Sequence, residues 1–499
     1  MLLRQIAEAS ERVAGTRSRT AKVAILAEVL REAGDEVEIA AAWLGGAIRQ
    51  RRTGVGWRTL AVSPSPAPSA GLTLREVDAE LTTIAALAGP GSRTARLERL
   101  EALYGRATVP EQAYLTALIT GSVRQGAMAG LLVDAVAAAS AIPLATVRRA
   151  AMLAGSVPAI ARAALSDGEH GLAAFSLRVF TPVLPMLAAS APTVGDALQK
   201  VAPGRDVAVE AKLDGIRIQA HRCGDDVRLY SRSLDEITHR LPEVVDMVRG
   251  IDARSLIVDG EVLAIGPDGR PRPFQETAAR TASVAGARVT AFLFDVLLLD
   301  DDIVMDRPLR ERVAALTSRV PEENLVRRVV TDDADTAEAF AAEVLEQGHE
   351  GVVVKDPAAL YDAGRRGSAW VKVKPVHTLD LVVLAVEWGS GRRRGMLSNI
   401  HLGARGEDGF VMLGKTFKGM TDQMLAWQTE RFLELEARRQ GNTVFLRPEQ
   451  VVEVAFDGLQ RSTRYPGGLA LRFARVVRYR DDKSAADADT IETVRGLMA

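Results

Sequence analysis

The residue pattern with the clearest chemical meaning is a lysine at the end of a predicted strand, followed by a tight turn and an arginine. It reads Glu210-Ala211-Lys212-Leu213-Asp214-Gly215-Ile216-Arg217. A neutral lysine amine can attack phosphorus, but with a reference pKa near 10.4 only about one lysine in 2,500 is neutral at pH 7. A nucleophilic Lys212 must therefore be activated. Taken alone, the pattern is equally compatible with a hairpin in which Asp214-Gly215 makes the turn and the lysine is solvated.

Further short patterns follow this lysine in a fixed order, and their joint occurrence by chance is negligible. They are Ser231-Arg232-Ser233, Val258-Asp259-Gly260-Glu261, Phe294-Asp295, Glu350-Gly351-Val352-Val353-Val354-Lys355 and Trp370-Val371-Lys372-Val373-Lys374. Lys372 and Lys374 are two positions apart on a predicted strand, so both amines could reach one phosphate group. Their charges, burial in a cleft and a bound divalent metal ion would each lower the pKa of Lys212. The alternative for the alternating lysines is an edge strand protected by charge.

Two glutamates lie on predicted strands that are rich in buried residue types. An unpaired carboxylate would be costly there, so Glu261 and Glu350 each need a partner. A magnesium ion or a ribose hydroxyl would satisfy them, and an internal salt bridge is the structural alternative.

The ordered series closely resembles the motifs shared by the covalent nucleotidyltransferases, which are the polynucleotide ligases and the mRNA capping enzymes. The segment Arg472-Phe473-Ala474-Arg475-Val476-Val477-Arg478-Tyr479-Arg480-Asp481-Asp482-Lys483 is similar to the last motif of ATP-dependent DNA ligases. The resemblance covers essentially the whole chain and is closest to the accessory type-B ligases of bacteria. Ala474 departs from the family, which more often has proline there; this changes little, because proline would mainly stiffen the strand entry.

The resemblance implies an enzyme that seals nicks in duplex DNA with ATP and Mg²⁺ or Mn²⁺, in DNA repair, replication or recombination. Lys212 would form a lysyl-AMP, the AMP would pass to the 5′-phosphate of the nick, and the 3′-hydroxyl would displace it. Glu210 is the implied acceptor for the adenine amino group, and Phe294 would stack on the adenine, although a phenylalanine there is by default a core residue. Glu261 is implied near the ribose and Glu350 near the metal, and both are expected as metal-site residues. The other implied ATP-binding residues are Arg217, Arg232, Arg366, Lys372 and Lys374.

The last motif is expected to act electrostatically on the leaving pyrophosphate. A mobile β-barrel could close over it and then open to admit DNA. The basic residues concerned are Arg475, Arg478, Arg480 and Lys483. A second basic run, residues 392–394, reads as a loop that meets a DNA backbone or is simply solvated.

The elements that must position these residues change character twice along the chain. Up to about residue 190, apolar residues recur at helical spacing, as in Val23, Leu26 and Leu30, which predicts an all-α part. Residues 188–205 read as a connector. From Val207 the period changes to two, which predicts a mixed α and β part with its first hairpin turn at residues 223–226. After residue 375, the pattern predicts short strands and one helix, which suit a small β-barrel. The strands are at 379–386, 400–404, 410–413, 451–455 and 471–479, and the helix is near 421–435.

We therefore expect a multidomain fold: an all-α DNA-binding domain at 1–190, an α+β adenylation domain at 191–375 and a β-barrel OB-fold domain at 376–499. A length of 499 residues fits three domains of roughly 150 residues each. Two glycine-rich segments of the helical part, 54–57 and 121–126, resemble the family's DNA-binding domain. The DNA contacts expected there are Arg51, Arg52 and Arg124, and the alternative is a solubilising surface.

Composition narrows the possible classes of protein. The net charge of −1 excludes a polycation but not a basic face that binds nucleic acid. A single cysteine, Cys223, rules out an internal disulfide and a four-cysteine zinc module, which disfavours an NAD-dependent ligase.

Arg4 and Glu8 interrupt any signal peptide, and Asp134 interrupts the most apolar stretch, so we expect a cytoplasmic protein with no membrane span. The resemblance also implies a monomer that encircles DNA.

Two alternatives stay open at this stage. A GTP-dependent capping enzyme or an RNA ligase is opposed by the long helical part and the arginine-rich ending. A catalytically silent DNA clamp would keep the basic surfaces but not the covalent step, and it is opposed by the intact Lys212, Glu261, Glu350 and Lys372.

Overall fold

The chain was analysed as a computed structural model. It describes residues 1–50, 53–56, 59–60, 64–123, 128–282, 288–363, 366–390 and 393–497. The elements follow the predicted order, with a helical part first, a mixed α and β part second and a β-rich part last.

The helical part packs around the fully buried Trp43 and Leu30. Leu26 and Leu30 lie on one buried face of the second helix, as their spacing predicted. Gly155 ends one helix with a φ of 60°, a conformation that favours glycine. The helices are α1 (Leu3–Gly15), α2 (Arg19–Glu32), α3 (Val37–Leu44), α4 (Leu74–Ala86), α5 (Ser92–Gly105), α6 (Val109–Ile119), α7 (Met128–Ser140), α8 (Leu144–Ala154) and α9 (Val157–Ala173).

The middle part contains two sheets that flank the site described below. Its elements are β1 (Leu187–Ser190), α10 (Val194–Val201), β2 (Val207–Lys212), β3 (Ile216–Cys223), β4 (Asp226–Ser231), α11 (Pro242–Arg249), β5 (Ser255–Ala264), α12 (Phe274–Ala282), β6 (Val289–Leu299), β7 (Asp302–Ile303), α13 (Leu309–Thr317), β8 (Arg328–Thr331), α14 (Ala334–Glu346), β9 (Gly351–Lys355) and β10 (Arg366–Val373). The strand orders are β1-β10-β9-β2-β8 and β4-β3-β5-β6-β7. The sequence neighbours β2 and β3 therefore belong to different sheets.

The connector predicted at residues 188–205 is wrong, because this segment forms regular structure. Strand β1 pairs in parallel with β10, and Ala191 N donates to Lys372 O at 3.1 Å. Helix α10 buries Val194, Ala197, Leu198 and Val201 along one face. The four-residue strand and eight-residue helix are too short to show a clear period in sequence. The middle sheet thus starts at Leu187, a few residues before the expected boundary.

The last part is a curled sheet around a core that includes Phe432 and Phe456. Its elements are β11 (His377–Trp388), β12 (Leu397–Gly406), β13 (Gly409–Thr416), α15 (Asp422–Glu434), β14 (Glu436–Gln440), β15 (Thr443–Leu446), β16 (Val451–Phe456), β17 (Gly458–Arg461), β18 (Leu469–Arg472), β19 (Arg475–Tyr479) and α16 (Ile491–Gly496). The long β11 pairs with β12, β15 and β16 along its length, which bends the sheet. The single strand predicted at 471–479 is instead divided, because Phe473 has a φ of 55°.

The three parts are in direct contact. From the helical part, Met152 and Leu153 of α8 join the core of the middle part, and both terminal nitrogens of Arg149 donate to Asp306 at 2.7 Å. On the other side, Arg472 of β18 pairs with Asp214 at 2.6 Å. Among the described helices, none is long and apolar enough to cross a membrane.

Candidate active site

A pocket of about 210 Å³ opens between the two sheets of the middle part. Its walls bring together residues that are far apart in sequence but were singled out by the motif series: Glu210, Lys212, Arg217, Arg232, Glu261, Phe294 and Lys372. Each motif lies on a strand or directly beside one. Strands of both sheets therefore contribute side chains to one cleft.

Lys212 occupies the last position of β2, at the mouth of this pocket. Its Nζ donates to Glu350 Oε2, and Glu350 N donates to Lys212 O at 3.0 Å. The hairpin alternative is wrong, because β2 and β3 pair with other strands and Asp214-Gly215 carries the chain between sheets. Gly215 is required by close approach: a Cβ there would lie 2.3 Å from Val262 O.

Lys372 of β10 and Lys374, directly after its end, alternate with the buried Val371 and Val373, as the sequence pattern predicted. Lys372 lines the pocket. Lys374 Nζ donates to Glu350 Oε1 at 3.1 Å and also binds Asp457 from the β-rich part. The edge-strand alternative is wrong, because β10 is flanked by β1 and β9.

The two predicted glutamates have opposite electrostatic environments. Burial raises the pKa of Glu261 to about 7, because Arg217 and Lys212 only partly offset the loss of water. Glu261 forms no ion pair with the described residues, so the salt-bridge alternative fails for it. Burial would also raise the pKa of Glu350, but Lys212 and Lys374 outweigh it and hold the pKa below its usual value. Glu350 does form internal salt bridges.

Aromatic rings form the inner wall of the pocket. Phe294 is 9% exposed and meets Trp370 edge to face, with ring centroids 6.0 Å apart. Phe294 is thus largely buried but still reaches the pocket surface. The Nε1 of Trp370 is buried and has no hydrogen-bond partner among the described residues, so a bound ligand could satisfy it.

Arg217 connects this wall to a buried carboxylate. Its Nη2 donates to Asp259 Oδ2 at 2.6 Å, and its guanidinium lies 4.8 Å from the Phe294 ring centroid. Asp259 also accepts from Tyr361 Oη at 2.7 Å and Gln219 Nε2 at 3.0 Å. The guanidinium is therefore held in a fixed position at the pocket wall.

Sequence reasoning missed the partners of Glu210. Glu210 is 2% exposed, and its carboxylate binds Arg328 of β8 and Lys355 of β9. Lys355 Nζ also lies 4.0 Å from the Trp370 ring centroid and 4.5 Å from that of Phe294. Lys355 ends one of the quoted motifs, but nothing in the sequence indicated that it pairs with Glu210. No motif contains Arg328.

The structure separates the residues of the last motif. Arg475 Nη1 donates to Asp457 Oδ1 at 2.9 Å, and the same carboxylate binds Lys374 beside the pocket.

Arg478 pairs with Glu453 at 2.7 Å within the β-rich part. Arg480 and Lys483 both bind Asp380 of β11. Only Arg475 among these four is connected to the pocket by the ion pairs of the described residues.

Several expected residues lie outside the description. Arg51, Arg52 and Arg124, the expected DNA contacts, are not among the described residues, and neither is Arg392 of the second basic run. Arg366 begins β10, but its side chain is not described. Within the described chain, no group of three or more His, Cys, Asp or Glu side chains is arranged to hold a metal ion.

A lysine, several cations and an aromatic wall around a pocket of this size are the features of an enzyme site for a phosphorylated nucleotide. The same class is reached by comparison with known proteins. Sequence profiles described as the ATP dependent DNA ligase domain, the ATP dependent DNA ligase C terminal region and the DNA ligase N terminus match residues 185–374, 393–483 and 60–137.

Curated relatives match over the whole length. A protein of a Nocardioides species, described as a probable DNA ligase, is 58% identical over 506 residues, covering 100% of this chain and 99% of the relative. A probable DNA ligase of Beutenbergia cavernae is 57% identical over 511 residues with the same two coverages, 100% and 99%. The solved structure called Pmar-Lig_PreS3 shares the fold, with a TM-score of 0.64 at 18% identity over 95% of this chain and 99% of that one.

The chain belongs to the ATP-dependent DNA ligase family. It is accordingly a ligase that seals nicks between a 5′-phosphate and a 3′-hydroxyl through adenylate intermediates, which is the mechanism of the family.

Proposed function

We propose that Lys212 is the nucleophile of this ligase. Its Nζ attacks the α-phosphorus of ATP, a P–N bond forms, and pyrophosphate leaves. The 5′-phosphate of a nick then takes the AMP from the lysine, and the 3′-hydroxyl finally displaces AMP to close the phosphodiester. The observation that supports this best is the position of Lys212 at the mouth of the pocket, hydrogen-bonded to Glu350. That carboxylate holds the amine in place.

The remaining pocket residues are proposed to bind ATP. Phe294 supplies a ring for the adenine, and Glu210 accepts a hydrogen bond from its amino group. Planar guanidinium groups suit the ribose and phosphate oxygens, and Lys372 and Lys374 suit the α-phosphate. The residues in question are Arg217, Arg232, Arg366, Lys372 and Lys374.

A divalent cation, Mg²⁺ or Mn²⁺, fits the donor set at the pocket. Carboxylate oxygens are the ligands that such hard ions prefer, and Glu261 is partly buried with a raised pKa and no ion pair among the described residues. We propose Glu261 and Glu350 as the side chains that would hold it. When bound, such an ion supplies charge stabilisation for the phosphate oxygens. Glu350 meanwhile orients Lys212 and Lys374 through its two oxygens.

We propose that the β-rich part is an OB-fold domain that closes over the pocket for the first step. Support comes from the ion pairs between Arg472 and Asp214 and between Lys374 and Asp457. In this arrangement Arg475 is nearest to the leaving pyrophosphate. Arg478, Arg480 and Lys483 would have to exchange their carboxylate partners before they contact it.

The domains are proposed as 1–190 for DNA binding, 191–375 for adenylation and 376–499 for the OB-fold, with β1 added to the adenylation domain because it pairs with β10. Nicked duplex DNA is the proposed partner, held by Arg51, Arg52 and Arg124 of the helical part. A monomer that encircles the DNA in the cytoplasm remains our interpretation of the family resemblance.

The proposal is tested by separating the first step from the last. Lys212→Ala should take no label from ATP labelled at the α-phosphate, because the variant lacks the proposed attacking amine. The same variant should still seal, at least weakly, nicked DNA that already carries AMP on its 5′-phosphate. Label retained by the variant after denaturation would contradict the assignment of Lys212.

A further inference from the structure

The buried carboxylate of Glu210 is fixed by a residue to which the motif series assigns no role. Glu210 and Arg328 lie directly opposite each other on the antiparallel strands β2 and β8. Glu210 is 2% exposed, and the side chain of Arg328 is 13% exposed. The ion pair is therefore formed by strand register and kept largely away from water.

The two oxygens of this carboxylate have different partners. Arg328 directs both Nε, at 2.7 Å, and Nη2 to Oε1. Lys355 binds Oε2. A carboxylate oxygen has two lone-pair directions, so two donors fill Oε1 while Oε2 keeps one direction free. Of the two oxygens, Oε2 can therefore accept one more hydrogen bond.

Arg328 also sets the charge of Glu210. Burial alone would raise the pKa of Glu210, but the charges of Arg328 and Lys355 outweigh it and lower the pKa below its ordinary value. Glu210 is thus held as an anion although it is buried. An anionic oxygen with one free lone pair accepts from an N–H donor and repels a carbonyl oxygen.

We propose that Arg328 is a positioning residue that makes the pocket choose a 6-amino purine over a 6-oxo purine. By filling Oε1 it leaves Glu210 one charged acceptor, Oε2, which suits the amino group of adenine and opposes the carbonyl oxygen of guanine. The inference rests on the proposed role of Glu210 toward the base. It adds that the choice depends on a partner 118 residues away in sequence.

A purely structural role of Arg328 would have a different consequence. Its Nη2 also donates to Phe294 O at 3.3 Å, so its loss could shift the aromatic wall. That wall stacks on either purine, and a shift would impair ATP and GTP alike. Only the loss of a fixed, charged acceptor changes the ratio between the two nucleotides.

The test measures single-turnover self-nucleotidylation of the full-length Arg328→Met variant with ATP and with GTP. We expect the ATP-to-GTP ratio of efficiencies to fall about 10- to 100-fold, mainly through a higher KM for ATP, as for loss of a hydrogen bond to a charged group. The ATP efficiency of the variant relative to the parent should also rise with pH, because Glu210 without Arg328 ionises only at higher pH.

Three further variants complete the design. Arg327→Met is the matched control, since Arg327 pairs with Glu343 and Gln347 at the surface and should leave the ratio unchanged. Arg328→Lys should recover part of the ratio because it restores the charge. If Arg328→Met does not fold, Arg328→Gln, which keeps a donor but no charge, gives the same comparison. Equal losses with ATP and GTP, or an unchanged pH dependence, would overturn the proposal.

The outcome can be distinguished from failure of the proposed function. If Lys212→Ala loses the label while Arg328→Met keeps the parental nucleotide ratio, the nucleophile stands and only the role of Arg328 is wrong. If Lys212→Ala keeps the label, the proposed function itself is wrong.

Discussion

At the scale of single residues, the site is organised by which carboxylates have cations beside them. Glu210 and Glu350 each bind two basic groups, whereas Glu261 is partly buried with none within ion-pair distance among the described residues. A carboxylate withdrawn from water without a partner is costly unless it is protonated or receives a cation from a ligand. The pKa of Glu261 is accordingly raised to about 7.

The first prediction concerns the stability of the Glu261→Gln variant. The pKa of Glu261 is about 7 in the fold, above the usual 4.5 of a glutamate, so its contribution to stability is present below pH 4.5 and is lost as the pH rises through 7. The variant cannot ionise at this position and avoids that loss. The shift corresponds to roughly 3 kcal/mol of unfolding free energy. Urea unfolding at pH 5 and pH 8 measures the free energy of unfolding of both proteins. That of the variant should increase relative to that of the parent between the two pH values. Equal pH dependence of the two proteins would contradict the unpaired state of Glu261.

At the scale of elements, the strand order explains what the sequence could and could not predict. The motifs were recognisable as an ordered series rather than one by one, and Lys212, Lys372 and Phe294 of that series all line the pocket. Arg328 was not recognisable, because β8 is a four-residue edge strand and only its register with β2 brings it to Glu210. Pairings between distant short strands leave no local period in a sequence.

The same limit applies to Asp295, which follows Phe294 and was read as part of a motif. Asp295 and Arg312 are both fully buried and form a two-pronged pair at 2.7 and 2.9 Å. Arg312 also donates to the backbone oxygens of Arg307 and Ala359. Asp295 thus anchors β6, which carries Phe294, to α13.

The second prediction is that Arg312→Met destabilises the protein by about 3–5 kcal/mol, because it leaves the charge of Asp295 buried and unpaired. Arg312→Met combined with Asp295→Leu should recover part of that loss. Arg319→Met is the control: its partners Asp252 and Asp300 are exposed or partly exposed, and the expected effect is about 0–1 kcal/mol. Denaturant unfolding measures all three, and equal losses for the single and double variants would show that the pair is not the cause.

At the scale of the whole molecule, the site is assembled from more than the middle part. β1, the strand that follows the helical part, pairs Ser190 with Lys372, and α8 contributes Met152 and Leu153 to the adjoining core. On the other side the β-rich part reaches Lys374 through Asp457. Where the chain is cut therefore decides whether the nucleotide site survives.

The third prediction compares two truncated chains. A chain that starts at residue 175 keeps β1 beside β10 and should still take AMP from ATP, while its nick sealing falls because the proposed DNA-binding helices are gone. A chain that starts at residue 191 lacks β1 and should lose most of its adenylation, because Lys372 then lies on an exposed sheet edge. Labelling with ATP and a nick-sealing assay measure the two steps. Equal adenylation by both chains would show that β1 does not support the site.

The most direct test of the central claim is to locate the covalent AMP by mass spectrometry of the peptides from full-length protein incubated with ATP. The account predicts one adenylylated peptide, with the modification on Lys212 at the end of β2. A modification on Lys372 or Lys374, or none at all, would contradict it.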